Sequence, residues 1–180
     1  MSGLLDMDGH HIHGLGLPIH PQDPWRRIDS ETYIQPYLHN QGARARSTIP
    51  QVIPTHTHTP VIFDTEDYDN DNMWEGVTNP NRLTIQTTGM YLIIGQLHWD
   101  AAAPGYRGAF LWHSIDTWLA QVHTQQATAD DLWRGQVLTT WYCLAGEYLE
   151  LRARHTSGAP LDVRADTNQS PVLSAVRISS

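Results

Sequence analysis

The chain has 180 residues and a formal net charge of −8, from 19 Asp and Glu against 11 basic residues, every one of them Arg. That length holds one ordinary domain with an appendage, and a hydrophobic fraction of 40 % with seven Trp and seven Tyr excludes a disordered chain. The acidic balance excludes nucleic-acid binding driven by bulk charge, no apolar run reaches the ~18 residues of a membrane span, and the single cysteine, Cys143, excludes an internal disulfide.

Residues 1–41 are rich in Gly, Pro, His and Gln and poor in β-branched side chains. They predict a mostly irregular arm with one short helix. Asp23 is placed to cap it and Pro24 to open it, Trp25, Ile28 and Tyr33 fit one face, and Pro36 ends it. An arm of this kind has no core of its own and is expected to dock on something else. It shows no basic stretch followed by an apolar one, so no signal peptide is expected. Leu5-Asp6-Met7-Asp8-Gly9, then Ile12, Leu15-Gly16, Pro18-Ile19, Pro21-Gln22-Asp23 and Tyr33 resemble the short repeat of phage tail-fibre proteins. The chain departs from that repeat at His10, His11 and His13, where other polar residues are usual, at Gly14, and at Pro24-Trp25-Arg26-Arg27. The resemblance implies that residues 1–41 attach the chain to other virion proteins.

From Ala43 the pattern is all-β. Strands are predicted at 43–47, 51–53, 56–63, 82–85, 90–99, 107–115, 118–125, 131–144, 147–155, 161–165 and 172–179, with turns at Ala103-Pro104-Gly105, Asp116-Thr117 and Ser157-Gly158. Asp64 to Glu75 carries six acidic side chains and reads as a loop. Thr88-Gly89 reads as the turn that feeds the apolar strand Met90–Gly95. Many short strands at regular spacing predict a sandwich or jelly roll, with residues 42–180 as one domain. Phe63, Tyr68-Asp69, the Asn79-Pro80 turn, Leu83, Ile85 and Gly89-x-Tyr91 resemble the signature of C1q/TNF-like jelly rolls, in the version carried by bacteriophage virion proteins. Gly146 to Leu151 resembles that family's penultimate long strand, and Val172 to Ile178 its closing strand. The resemblance implies a C1q/TNF-like jelly-roll sandwich that assembles as a homotrimer.

Two metal sites are candidates. In a strand, His56 and His58 project to one face, and three such chains around a trimer axis offer six imidazoles, a transition-metal set. Asp67-x-Asp69-x-Asp71 has the alternation of the first half of a calcium loop, but Asn72 and Thr78 stand where that loop needs Gly and a bidentate Glu. The plainer readings are a polar strand edge and a solvated acidic loop. Cys143, in an apolar run, is expected to be a buried, inert thiol. No catalytic set emerges: there is no Gly-x-Ser-x-Gly elbow, no His-Glu-x-x-His and no phosphate-binding glycine loop. Glu147 and Glu150, three apart in a strand, face opposite ways. Trp112 with Phe110, and Trp133 with Val137, fit inward strand positions, while Trp99, Trp118 and Trp141 are divided between core and subunit contact.

These features together predict a structural protein of a bacteriophage virion and not an enzyme: a trimeric tail-fibre or minor tail protein, assembled in the host cytoplasm, whose head binds a host-surface glycan or protein. The alternative within the virion is a capsid decoration protein or head fibre anchored by residues 1–41. The rival from another class, a glycan-cleaving enzyme, needs an acidic pair facing one cleft.

Overall fold

The structure, a computed structural model, describes residues 41–101, 104–126, 133–166 and 169–179, together with two short strands near the N-terminus. The chain divides into two units, Met1–His39 and Asn40–Ser180. In the first, β1 (Asp6–Met7) and β2 (His10–His11) pair antiparallel. The helix expected after Asp23 and the position of His13 lie outside the described residues.

The second unit is an antiparallel sandwich. Its strands are β3 (Gly42–Arg46), β4 (Gln51–Ile53), β5 (Thr59–Pro60), β6 (Thr65–Asp69), β7 (Arg82–Thr84), β8 (Gly89–Trp99), β9 (Gly105–His113), β10 (Thr117–Gln126), β11 (Trp133–Cys143), β12 (Tyr148–His155), β13 (Leu161–Val163) and β14 (Val172–Ser179). One sheet runs β10-β9-β12, with β5 and β7 sharing the far edge of β12. The other centres on β8, which pairs with β11 along its whole length on one edge and with β14 on the other; β3 and β6 follow β14. β13 meets β8 at one pair, Val163 with Trp99, and carries β4.

Period-two alternation selects the core. Tyr91, Ile93, Leu97 and Trp99 of β8 are fully buried, and the residues between them are half-buried along most of the strand. Facing them are Ala109 and Leu111 of β9 and Leu149, Leu151 and Ala153 of β12. Gly95 faces the opposite sheet at close range: a Cβ there would meet Leu151 Cδ1 at 2.6 Å. The inward face of β9 and β12 is not wholly apolar, since Arg107, His113 and His155 are also buried in it.

The predicted strands at 51–53, 82–85, 90–99 and 172–179 are found within a residue of their expected ends. Four local expectations are corrected. The strand over 56–63 shrinks to β5, because His56 takes a positive φ of 62° in a turn. The acidic stretch is half strand: β6 pairs with β3, where Arg44 and Arg46 both reach Asp67, so cross-strand ion pairing offsets the charge crowding. Gly89 belongs to the strand and not to a turn, and it is needed there because a Cβ would strike the Arg177 side chain and the Ser179 carbonyl. Phe110 and Trp112 lie on the outward face of β9, since Arg107, Ala109, Leu111 and His113 take the inward positions. Trp133 and Val137 do face the core.

Candidate functional site

Three surfaces of the sandwich carry chemistry. The first is the outward face of the larger sheet. Register sets Ile94 of β8 between Leu138 of β11 and Ser174 of β14, and Leu92 between Thr140 and Val176. Met90 lies opposite Tyr142. Leu138 is 60 % exposed and Tyr142 49 %, and among the described residues of the sandwich no other strand covers this row.

The second is the outward face of the smaller sheet. Here the His58 ring meets Phe110 and Trp118 edge-on at 4.7 and 4.5 Å, and Trp118 stacks edgewise on Trp112 at 4.4 Å. Arg152 lies over the Trp112 ring at 4.0 Å and Arg82 over Tyr148 at 4.5 Å. Arg152 also pairs with Glu150 at 2.6 Å, and Asn81 donates to that carboxylate at 2.6 Å. This face is therefore polar and aromatic and largely covered by its own side chains, although His58 Nδ1 and Arg82 Nε lack a hydrogen-bond partner among the described residues.

The third lies at one end of the sandwich, where the turns after β9 and β11 meet. His113 closes β9, Cys143 closes β11, and Glu147 stands in the turn that enters β12. Their ligand atoms lie within 4.8 Å of one another, and this is the one such group of three donors among the described residues. His113 Nε2 is 3.1 Å from Glu147 Oε2, but the approach lacks hydrogen-bond alignment. The Leu144 N–H donates to the same carboxylate oxygen at 2.6 Å. Burial, and then the Glu147 charge, push the Cys143 thiol up to about 12, which fits the expected inert thiol in the protein without metal.

The sequence-predicted site residues are not gathered in one chain. His56 is exposed in its turn, with its backbone N–H donating to the His155 carbonyl. His58 is half-buried against aromatic rings, and its pKa is lowered by burial and then by Arg154 and Arg152. The strand alternation that would align the two imidazoles is absent. The three aspartates have separate roles. Asp67 pairs with Arg44 at 2.9 Å and Arg46 at 2.8 Å. Asp69 accepts the N–H groups of Asp71, Met73 and Trp74 and so shapes the loop. Asp71 lies near Thr87, with its pKa raised chiefly by burial. Glu147 and Glu150 point to different partners, His113 and Arg152, so they form no acidic pair. The His113–Cys143–Glu147 group was invisible in the linear pattern. Cys143 and Glu147 are four apart across a turn, but His113 is brought in only by the pairing of β9 with β12.

No protein-family model and no curated protein matches the chain. Solved structures do. Murine APRIL superposes with a TM-score of 0.62 at 10 % identity, covering 78 % of this chain and 100 % of that one. The globular domain of zebrafish complement 1qA gives 0.57 at 11 %, covering 77 % and 97 %, and the TNF Eiger from S. frugiperda gives 0.55 at 12 %, covering 78 % and 94 %. At these identities the likeness is one of fold: the chain has the C1q/TNF-like jelly roll.

Proposed function

We propose that the protein is a homotrimeric structural component of a bacteriophage virion, a tail-fibre or minor tail protein whose jelly-roll head contacts the host surface and whose residues 1–41 join other virion proteins. The observation that carries the trimer is the apolar row Leu92, Ile94, Leu138 and Val176 on the larger sheet, which no other described strand covers. A contiguous apolar surface of this kind is a subunit contact or an aggregation hazard, and a closed ring of identical copies removes it without leaving a sticky edge. The virion assignment is supported by the resemblance of Leu5 to Tyr33 to the tail-fibre repeat.

Light scattering of the purified full chain tests the first half of this reading. Three chains' mass at micromolar concentration is the expected result, and the mass of one chain overturns it. Locating the protein on whole particles by electron microscopy tests the second half. A few copies at the tail are expected, while many copies across the shell would make it a decoration protein.

A further inference from the structure

The end of the sandwich between the β9–β10 and β11–β12 turns has the makings of a metal centre that neither sequence candidate included. His113 is 1 % exposed and Cys143 fully buried, yet His113 Nε2 has no aligned hydrogen-bond partner and is aimed at a carboxylate and a thiol. A buried imidazole nitrogen without a good partner is costly unless something else satisfies it. The backbone that carries the donors is held in place. Ser114 N–H donates to the Tyr148 carbonyl, Gly146 N–H to the Ile85 carbonyl, and Ala145 N–H to Thr88 Oγ1. Leu144 N–H orients the Glu147 carboxylate, the kind of outer hydrogen bond that fixes a ligand. The Trp141 indole lies 6.3 Å from the His113 ring and shields one flank.

We propose that His113 Nε2, Cys143 Sγ and the Glu147 carboxylate bind one Zn²⁺, or a late first-row divalent ion of similar softness, per chain. One nitrogen, one sulfur and one carboxylate oxygen suit a borderline-soft tetrahedral ion, and the thiolate disfavours calcium and magnesium. Three protein donors leave a fourth position for water, on the side where Glu147 is 20 % exposed. Binding displaces the thiol proton of Cys143, which leaves to solvent. The ring keeps its proton count, the proton moving from Nε2 to Nδ1, at the expense of the 3.3 Å contact that Ile115 N–H makes to Nδ1. Because His113 ends a strand of the smaller sheet, Glu147 stands in the turn entering that sheet and Cys143 ends a strand of the larger, the ion ties the two sheets together at this end.

The test titrates Co²⁺ and Zn²⁺ into full-length protein stripped with chelator. The expected results are one metal per chain, a thiolate-to-cobalt charge-transfer band in the near ultraviolet, and a higher melting temperature with zinc. Cys143→Ser should abolish the band. Glu147→Gln, at the half-exposed rim where folding is least at risk, should weaken affinity by more than the roughly 10–100-fold that loss of an outer partner costs. Folded wild-type protein that takes up neither ion overturns the proposal and leaves a His–Glu contact beside an inert thiol. A cobalt band that survives Cys143→Ser overturns it too, as does one metal per three chains unaffected by that change, which would place the ion at His56 and His58.

Discussion

The two outward faces of this sandwich solve the same problem in opposite ways. Each sheet has large apolar side chains pointing away from the core. On the smaller sheet, Phe110 is only 3 % exposed although it faces outward, because His58 and Trp118 close over it and Arg152 covers Trp112. A cationic side chain and aromatic rings do the covering, and the Arg152 guanidinium is held there by the buried Glu150 carboxylate. On the larger sheet, Leu92, Ile94, Leu138 and Val176 form a row that no described residue of the sandwich covers in this way. The difference sets the two faces apart physically: one covers its large side chains with its own residues, and the other is the face the proposed assembly would bury.

The strongest way to break that contrast is a charge in the uncovered row. Leu138→Asp should reduce the proposed trimer to single chains. Leu138 is already 60 % exposed in one copy, so the folding stability of the separated chain should change by no more than about 1 kcal/mol. Scattering mass and denaturant midpoint measure the two effects separately. A trimer of unchanged mass would mean that this face is not the contact.

The converse substitution is Phe110→Ala on the covered face. Removing a buried aromatic ring should cost about 3–5 kcal/mol of folding stability, seen as a lower midpoint, with the mass of the assembly unchanged. A drop in mass with stability intact would reverse the assignment and make the aromatic face the subunit contact.

Much of this arrangement was legible in the sequence. Alternation in Leu83-Thr84-Ile85 and the apolar run of β8 gave strands at the right places, and their spacing gave the sandwich. What the pattern could not give was which side of a strand faces in when both sides are apolar. Gly-Ala-Phe-Leu-Trp in β9 reads equally well in either orientation, and the observed one is helped by Gly108, where a Cβ would come within 2.8 Å of the Phe110 ring. The strand β6 was hidden because six carboxylates suggest solvent, and only the arginines of β3, twenty residues earlier, make pairing favourable there. His56 failed as a strand residue for a backbone reason, its positive φ. The His113–Cys143–Glu147 group depends on which strands become neighbours, and no linear spacing encodes that.

Acid offers the mildest probe of the same contrast, because histidines are placed differently on the two sheets. His155 is buried in the core beneath the smaller sheet, its Nε2 2.8 Å from the Ile53 carbonyl. Burial lowers its pKa from the ordinary 6.5; the hydrogen bond to Ile53 opposes this, and Arg107 and His56 add to it. His98, near the end of β8, is lowered by burial first and then by Arg134. For both, the folded value lies below the unfolded one, so between the two the unfolded chain binds the extra proton. Stability is then fully present above pH 6.5 and is lost as pH falls from there toward the folded values. The fold should therefore weaken between neutral pH and about pH 5, before most carboxylates titrate. His155→Gln should flatten the part that comes from the core under the smaller sheet. If subunits meet on the larger sheet, His98→Gln should flatten a part that also appears as acid dissociation of the trimer. The measurement is a denaturant midpoint and a scattering mass at each pH. A midpoint that stays level from neutral pH to about pH 5 would show that these rings take up their protons without penalty. Acid weakening that leaves the mass at three chains would confine the effect to the core and remove His98 from the contact.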